Sequence, residues 1–193
     1  MAKRLVIGNW KMNPETFEAA KAVARKTRAI SAKLCNTDVV VCPPFPFIAA
    51  CVSRSQPPAF HIGAQTVSLE EGGAHTGEVS AKTLQSLNVE FVIAGHSEAR
   101  AAGDTDETVS RKIGRIVEAG MIAVVCVGEK TRDENGSHLD FLKKQIRKTF
   151  AGISLDKTKR VILAYEPIWA IGAKEAMAPE QVYEMSLFVK KVF

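Results

Sequence analysis

Three polar residues directly follow short apolar runs, and their side chains suit the handling of a proton. Glu166 ends the run Val161-Ile162-Leu163-Ala164-Tyr165, His96 follows Val92-Ile93-Ala94-Gly95, and Lys11 lies just past Leu5-Val6-Ile7-Gly8. A carboxylate can take a proton from carbon, an imidazole can donate one to oxygen, and an ammonium can hold developing negative charge. The chemistry this set suits is proton transfer beside a carbonyl group. Each residue also has a structural reading. Lys11 reads as a surface lysine ahead of a helix, His96 as a satisfied core histidine, and Glu166 as a salt-bridged carboxylate. The common placement of all three, at the end of a strand-like run, favours the chemical reading. The other histidines read as structural: His61 inside a strand, His75 in a loop, His138 near a helix start.

The elements that must position these residues alternate regularly. Strand candidates are 4–8, 38–42, 59–64, 90–94, 122–127 and 160–165, rich in Val and Ile and mostly without polar alternation. Such runs suit strands covered on both faces. Asn13-Pro14 reads as an N-cap and first-turn proline, opening a helix that runs to about Ser31. Asp104 and Glu107 have capping-box spacing, Val109, Ile113, Ile116 and Val117 then share a face, and Gly120 is a stop. Leu139, Leu142, Ile146 and Phe150 repeat that face, and Pro179 opens a last helix with Val182, Met185, Val189 and Val192 inward.

Six strand–helix units of this kind predict a parallel α/β sheet, either doubly wound or a barrel. No G-x-G-x-x-G follows the first strand, which disfavours a dinucleotide site. In parallel α/β folds the C-terminal strand ends carry the active site. The apolar loop 167–177 beyond Glu166 reads as a lid able to cover a ligand and expel water. A long polar loop around 68–76 reads as functional or interfacial.

Composition narrows the class. The chain has 193 residues, enough for one domain with a core, with 46% hydrophobic and 24% charged residues. No apolar run approaches the roughly 20 residues of a membrane span. Met1-Ala2-Lys3-Arg4 and the short apolar run after it do not form a secretory signal, so a cytoplasmic location without membrane contact is expected. The net charge of +5 is spread over outer helix faces, as at Lys21, Arg25 and Lys26. That suits weak steering of an anionic small molecule rather than nucleic-acid binding. Cys35, Cys42, Cys51 and Cys126 form no C-x-x-C pair and no metal-ligand spacing, and reduced thiols are expected.

Four ordered segments carry a family resemblance. They are Gly8-Asn9-Trp10-Lys11-Met12-Asn13, Gly73-Ala74-His75-Thr76-Gly77-Glu78, Ala94-Gly95-His96-Ser97-Glu98 and Ala164-Tyr165-Glu166-Pro167-Ile168-Trp169-Ala170-Ile171-Gly172. In order and across essentially the whole chain, they resemble the signatures of the triosephosphate isomerases. The resemblance implies a (β/α)8 barrel that interconverts dihydroxyacetone phosphate and glyceraldehyde 3-phosphate through an enediolate, with no cofactor and no metal. It implies Glu166 as the base, His96 as the group that polarises the carbonyl and shuttles protons, and Lys11 as the cation, with Asn9 beside it. The backbone of Gly172 would donate to the substrate phosphate under the lid, and Glu98 would support the site. The loop around Thr76 would reach into a second subunit, making a homodimer.

The sequence also departs from that family. It stops at Phe193, after the sixth strand–helix unit, whereas such a barrel runs to about 250 residues. The expectation is one barrel domain over 1–193 that is C-terminally incomplete, with the first and sixth strands as open edges. The preferred explanation is a longer parent protein or a missing tail. The lid reads Gly172-Ala173-Lys174 where the family usually has Gly-Thr-Gly; a left-handed Lys174 would cost roughly 1–2 kcal/mol. Ala99 stands where a second arginine is usual, which puts one structural ion pair in doubt. Two rival functions remain. One is a Schiff-base aldolase using Lys11, and the other is an inactive truncated homologue or phosphosugar-binding protein.

Overall fold

A computed structural model describes residues 3–53, 55–133, 135–173 and 176–193. In chain order the elements begin β1 (Arg4–Asn9), α1 (Phe17–Ser31), β2 (Thr37–Cys42), α2 (Ile48–Cys51), β3 (Phe60–Ala64), α3 (Ala81–Ser86) and β4 (Phe91–Ala94). They continue α4 (Ser97–Ala101), α5 (Asp106–Glu118), β5 (Ile122–Val127), α6 (Ser137–Thr149), α7 (Leu155–Thr158), β6 (Val161–Tyr165) and α8 (Pro179–Val192). All six expected strands are present, each within one residue of the bounds read from sequence. The chain packs as two compact units: Met1–Ile93 with Arg115–Ala123, and Ala94–Gly114 with Val124–Phe193.

In the first unit, β1, β2, β3 and β4 are hydrogen-bonded in chain order. The pairs are parallel, with registers Arg4↔Thr37 to Asn9↔Cys42, Val39↔Phe60 to Val41↔Ile62, and Gly63↔Phe91. Val40, Cys42, Phe60, Ile62 and Ala64 are fully or almost fully buried. Ala20 and Ala24 of α1 are buried too; their i,i+4 spacing puts two small side chains on one helix face. Gly63 has no room for a side chain, because a Cβ there would meet Cys42 Sγ and approach the Phe91 carbonyl to 3.2 Å. The expected burial on both faces fails for β1, where Leu5 and Val6 are 38% and 54% exposed. Among the described residues β1 stands at the edge of the sheet beside β2, the open edge expected for the first strand.

Helix α1 starts later than the Asn13-Pro14 signal predicts. Thr16 is extended and its hydroxyl accepts the Ala19 N–H, so it supplies the cap three residues downstream.

In the second unit, Val127 of β5 forms a cluster with Ile146 of α6 and Val189 of α8. Leu163 and Tyr165 of β6 pack against that cluster. Phe150 meets Phe193 edge to face, with centroids 4.7 Å apart. The faces expected on α6 and α8 are met at Leu142, Ile146, Met185 and Val189, but Val182 is 46% exposed. The α5 cap is Thr105 rather than Asp104. Thr105 and Thr108 exchange hydrogen bonds between each hydroxyl and the other's N–H, while Asp104 accepts from Lys112 at 2.8 Å. Beyond β5, a Cβ on Gly128 would collide with the Glu166 carbonyl, so only glycine lets the end of β6 pass so closely. The Glu166 N–H donates to the Val127 carbonyl at 2.8 Å, which fixes where the Glu166 side chain leaves the backbone. Among the described residues, no helix is long and apolar enough to cross a membrane.

Candidate functional site

Glu166 and His96 meet in the second unit. After β4, Gly95 takes φ +70°, a left-handed turn in which a Cβ would strike Val109 and Arg100. That turn delivers His96 to the start of α4, where its Nδ1 accepts the Glu98 N–H at 3.2 Å. A nitrogen that accepts cannot carry the proton of the neutral ring, so the N–H of neutral His96 is on Nε2. Nε2 lies 3.3 Å from Glu166 Oε1. The carboxylate also accepts the Ser97 N–H at 3.0 Å and the Ser97 hydroxyl at 2.7 Å. The two side chains are 15% and 21% exposed, sheltered yet open to a ligand.

Their surroundings are tied down. Arg100 donates through Nε to the Gly95 carbonyl at 2.8 Å, through Nη1 to Asp106 at 2.8 Å, and through Nη2 to the Cys126 carbonyl at 3.4 Å. Its carboxylate partner is therefore Asp106. The Glu98 carboxylate lies 3.7 Å from His96 Nδ1 and is largely exposed. Burial pushes the Cys126 thiol up to about 12 and the Cys51 thiol up to about 11, which leaves both as inert packing groups.

A second cluster, missed from sequence, anchors the segment after Glu166. Glu129 follows β5 as Glu166 follows β6, and it is 1% exposed. Its Oε1 accepts from Arg132 Nε at 2.9 Å, Tyr165 Oη at 2.8 Å and Trp169 Nε1 at 2.9 Å. Arg132 also donates to Tyr165 Oη at 2.9 Å and lies over the Trp169 ring, 5.0 Å from its centroid. Burial alone would raise the Glu129 pKa, but the bonds from Arg132, Tyr165 and Trp169 outweigh it and hold the carboxyl below the usual range. Burial, then the bond to Glu129, pushes Tyr165 up to about 12. The Glu129 carbonyl accepts the Ile168 N–H, so both main chain and side chain hold the turn Ile168–Ala170. The available signal was Glu129 itself, an acid two residues past a buried strand, with Arg132 three residues on. Gly172 follows at φ +74°, exposed, with open space where a Cβ would stand. Lys174, for which a backbone cost was expected, lies outside the described residues.

Asn9 and Lys11 belong to the first unit. Lys11 has φ +55°, a left-handed conformation that costs a non-glycine residue energy. Two side chains hold it there. Asn9 Oδ1 accepts the Lys11 N–H at 2.9 Å, and Gln65 Nε2 donates to the Lys11 carbonyl at 2.8 Å and the Cys42 carbonyl at 3.0 Å. Gln65 was also missed, although it directly follows β3. The long loop leaves from the same place. The Ser68 N–H donates to the Val79 carbonyl at 2.9 Å and closes the neck. Arg115 grips the Leu69 carbonyl and Glu71. Beyond that neck residues 71–78 are all exposed, Thr76 among them. The structure thus joins His96 to Glu166 in one unit and Asn9 to Lys11 in the other, with Thr76 on a loop of the latter. Among the described residues, no group of three or more His, Cys, Asp or Glu could hold a metal ion.

The Glu166–His96 pair can take a proton from carbon while donating a hydrogen bond to the adjacent oxygen. Comparison with known proteins points to the same chemistry. The family model described as triosephosphate isomerase matches residues 4–193. The triosephosphate isomerase of Flavobacterium johnsoniae is 36% identical over 193 residues, covering 99% of this chain and 77% of that protein. The one from Clostridium botulinum strain Loch Maree is 36% identical over 194 residues, with 100% and 77% covered. That of Idiomarina loihiensis is 39% identical over 183 residues, with 94% and 72% covered.

Proposed function

The chain belongs to the triosephosphate isomerase family, and from that premise we infer that it interconverts dihydroxyacetone phosphate and glyceraldehyde 3-phosphate. The reaction is an aldose–ketose isomerisation by proton transfer, a step of glycolysis and gluconeogenesis. In it, the Glu166 carboxylate leaves its Ser97 bonds and takes the proton from the carbon beside the carbonyl. The His96 Nε2–H donates to the carbonyl oxygen as negative charge develops there, and the Lys11 ammonium stabilises the enediolate. Glu166 then returns the proton to the neighbouring carbon, and His96 moves a proton between the two oxygens. Asn9 holds the backbone that presents Lys11, Gly172 N–H donates to the substrate phosphate, and Glu98 fixes the His96 ring through its N–H.

The observation that carries this reading is the 3.3 Å approach of His96 Nε2 to Glu166, with Nδ1 already occupied. The aldolase alternative needs an amine desolvated enough to lose its proton, and Lys11 stands exposed beyond its strand. We further propose that residues 1–193 form a single domain made of six of the (β/α)8 barrel's strand–helix units, with a cytoplasmic location and a homodimer made through the loop around Thr76. The exposed stretch 71–78 supports the dimer.

A coupled isomerase assay on the purified chain tests the inference. Wild type should turn over, and Glu166→Gln should lose about 10²–10⁴ of the rate. A folded wild-type chain without turnover would leave the phosphosugar-binding reading in its place.

A further inference from the structure

Positive charge that reads from sequence as spread over outer helix faces is gathered by the fold in one part of the second unit. On α6, Leu142, Gln145, Ile146 and Thr149 are buried, while Lys143, Lys144, Arg147 and Lys148 are all exposed. Residues 143 and 147, and likewise 144 and 148, are spaced i,i+4, so the four cations form two rows on the outward side of adjoining turns. A tight turn, closed by the Ile153 N–H on the Phe150 carbonyl at 3.1 Å, leads into α7, and Lys157, Lys159 and Arg160 follow. The last turn of α8, with Lys190 and Lys191, lies against the end of α6. Val189 clusters there with Ile146, and the Phe193 ring meets that of Phe150.

Acids offset little of this charge. From Phe141 to Tyr165 the only acid is Asp156, bonded to Lys159 at 2.7 Å. Lys148 lies 3.5 Å from Glu107. Both pairs are exposed, so water and salt screen them. Cations in the last turn of a helix complement its carbonyl end, but Lys143, Lys144 and Arg160 lie outside any last turn, so that role does not account for the patch. Within the basic stretch Leu155, the first residue of α7, is 86% exposed. A nucleic acid would offer phosphates to the cations but no apolar depth to this leucine. An anionic bilayer offers both headgroup charge and acyl chains. We propose that this face, made of α6, the α7 segment and the last turn of α8, docks on the surface of a bilayer rich in anionic phospholipid. The cations sit among the headgroup phosphates, and Leu155 enters the acyl boundary. Such contact lies on the membrane and needs no spanning helix. Vesicle binding is read without turnover, so its failure would leave the isomerase reading standing.

Co-sedimentation of the whole chain with vesicles tests the proposal, using phosphatidylcholine alone or mixed in equal parts with phosphatidylglycerol. The chain should sediment with the mixed vesicles, stay in solution with the neutral ones, and be released by about 0.5 M salt, which screens exposed charges. Lys143→Gln, Lys144→Gln and Arg147→Gln combined should weaken binding about 100-fold, roughly fivefold per charge. Leu155→Ser should weaken it about tenfold. All four side chains are exposed, which keeps both variants folded. No sedimentation with the mixed vesicles, equal sedimentation with the neutral ones, or unchanged binding in either variant would overturn the proposal. So would a DNA duplex that binds wild type more tightly than the mixed vesicles do and binds Leu155→Ser equally well; that result would assign the face to nucleic acid.

Discussion

The left-handed backbone of Lys11 shows how a single residue can be held against its preference. Lysine at φ +55° is strained by roughly 1–2 kcal/mol, and bonds from Asn9 and Gln65 keep it there. Glycine adopts that conformation freely but gains entropy on unfolding, worth about 0.5–1 kcal/mol. Lys11→Gly should therefore unfold at the same or a higher denaturant concentration than wild type, while Lys11→Ala should not be stabilised; both should lose isomerase activity. A Lys11→Gly variant clearly less stable than Lys11→Ala in urea denaturation would remove strain from the account. Glu166, His96 and Lys11 could be singled out as candidates in the sequence because each stands just past an apolar run. Gln65 and Glu129 also stand just past buried strands, but what each holds lies in partners 54 and 40 residues away, at Lys11 and Trp169. Local pattern carries no trace of such pairings.

Among the elements, the turn after β6 is governed by one carboxylate. Glu129 gathers Arg132, Tyr165 and Trp169, and those bonds depress its folded pKa. A depressed carboxyl contributes stability above its unfolded value, about 4.3 for glutamate. That contribution is lost as pH falls through the lower folded value. Tyr165, raised to about 12, acts in the opposite direction. Its contribution is complete below the ordinary value of about 10 and is lost as pH rises through 12. Stability should therefore decline at both ends of the pH range, and Glu129→Gln should flatten the acid limb in thermal unfolding scans. An unchanged acid limb would show that the cluster is not a source of the acid sensitivity. Strands were the most legible elements, since unbroken Val and Ile runs leave little alternative. Helix starts were less so. Asn13, Thr16, Asp104 and Thr105 are all good caps, and only the folded backbone decides that Thr16 and Thr105 serve.

For the molecule as a whole, the exposed loop tip and the exposed β1 residues Leu5 and Val6 are among the features open to other chains. If the loop around Thr76 builds a homodimer, sedimentation analysis should give twice the chain mass, and Thr76→Glu should shift it toward monomer. A wild-type monomer at all concentrations would exclude that assembly. The barrel class was legible from the alternation of strands and helices together with the family motifs. The exposure of Leu5 and Val6 accords with the expected open edge at the first strand, although their Val- and Ile-rich run by itself reads as covered on both faces. The central claim is that Glu166 moves a proton between adjacent carbons. Its most direct test is to run the isomerisation in deuterium oxide and follow the triose phosphates by proton NMR. The account predicts solvent deuterium on the carbon beside the carbonyl of the product, formed by wild type and almost not at all by Glu166→Gln. Isomerisation without any solvent deuterium, or equal incorporation by Glu166→Gln, would contradict it.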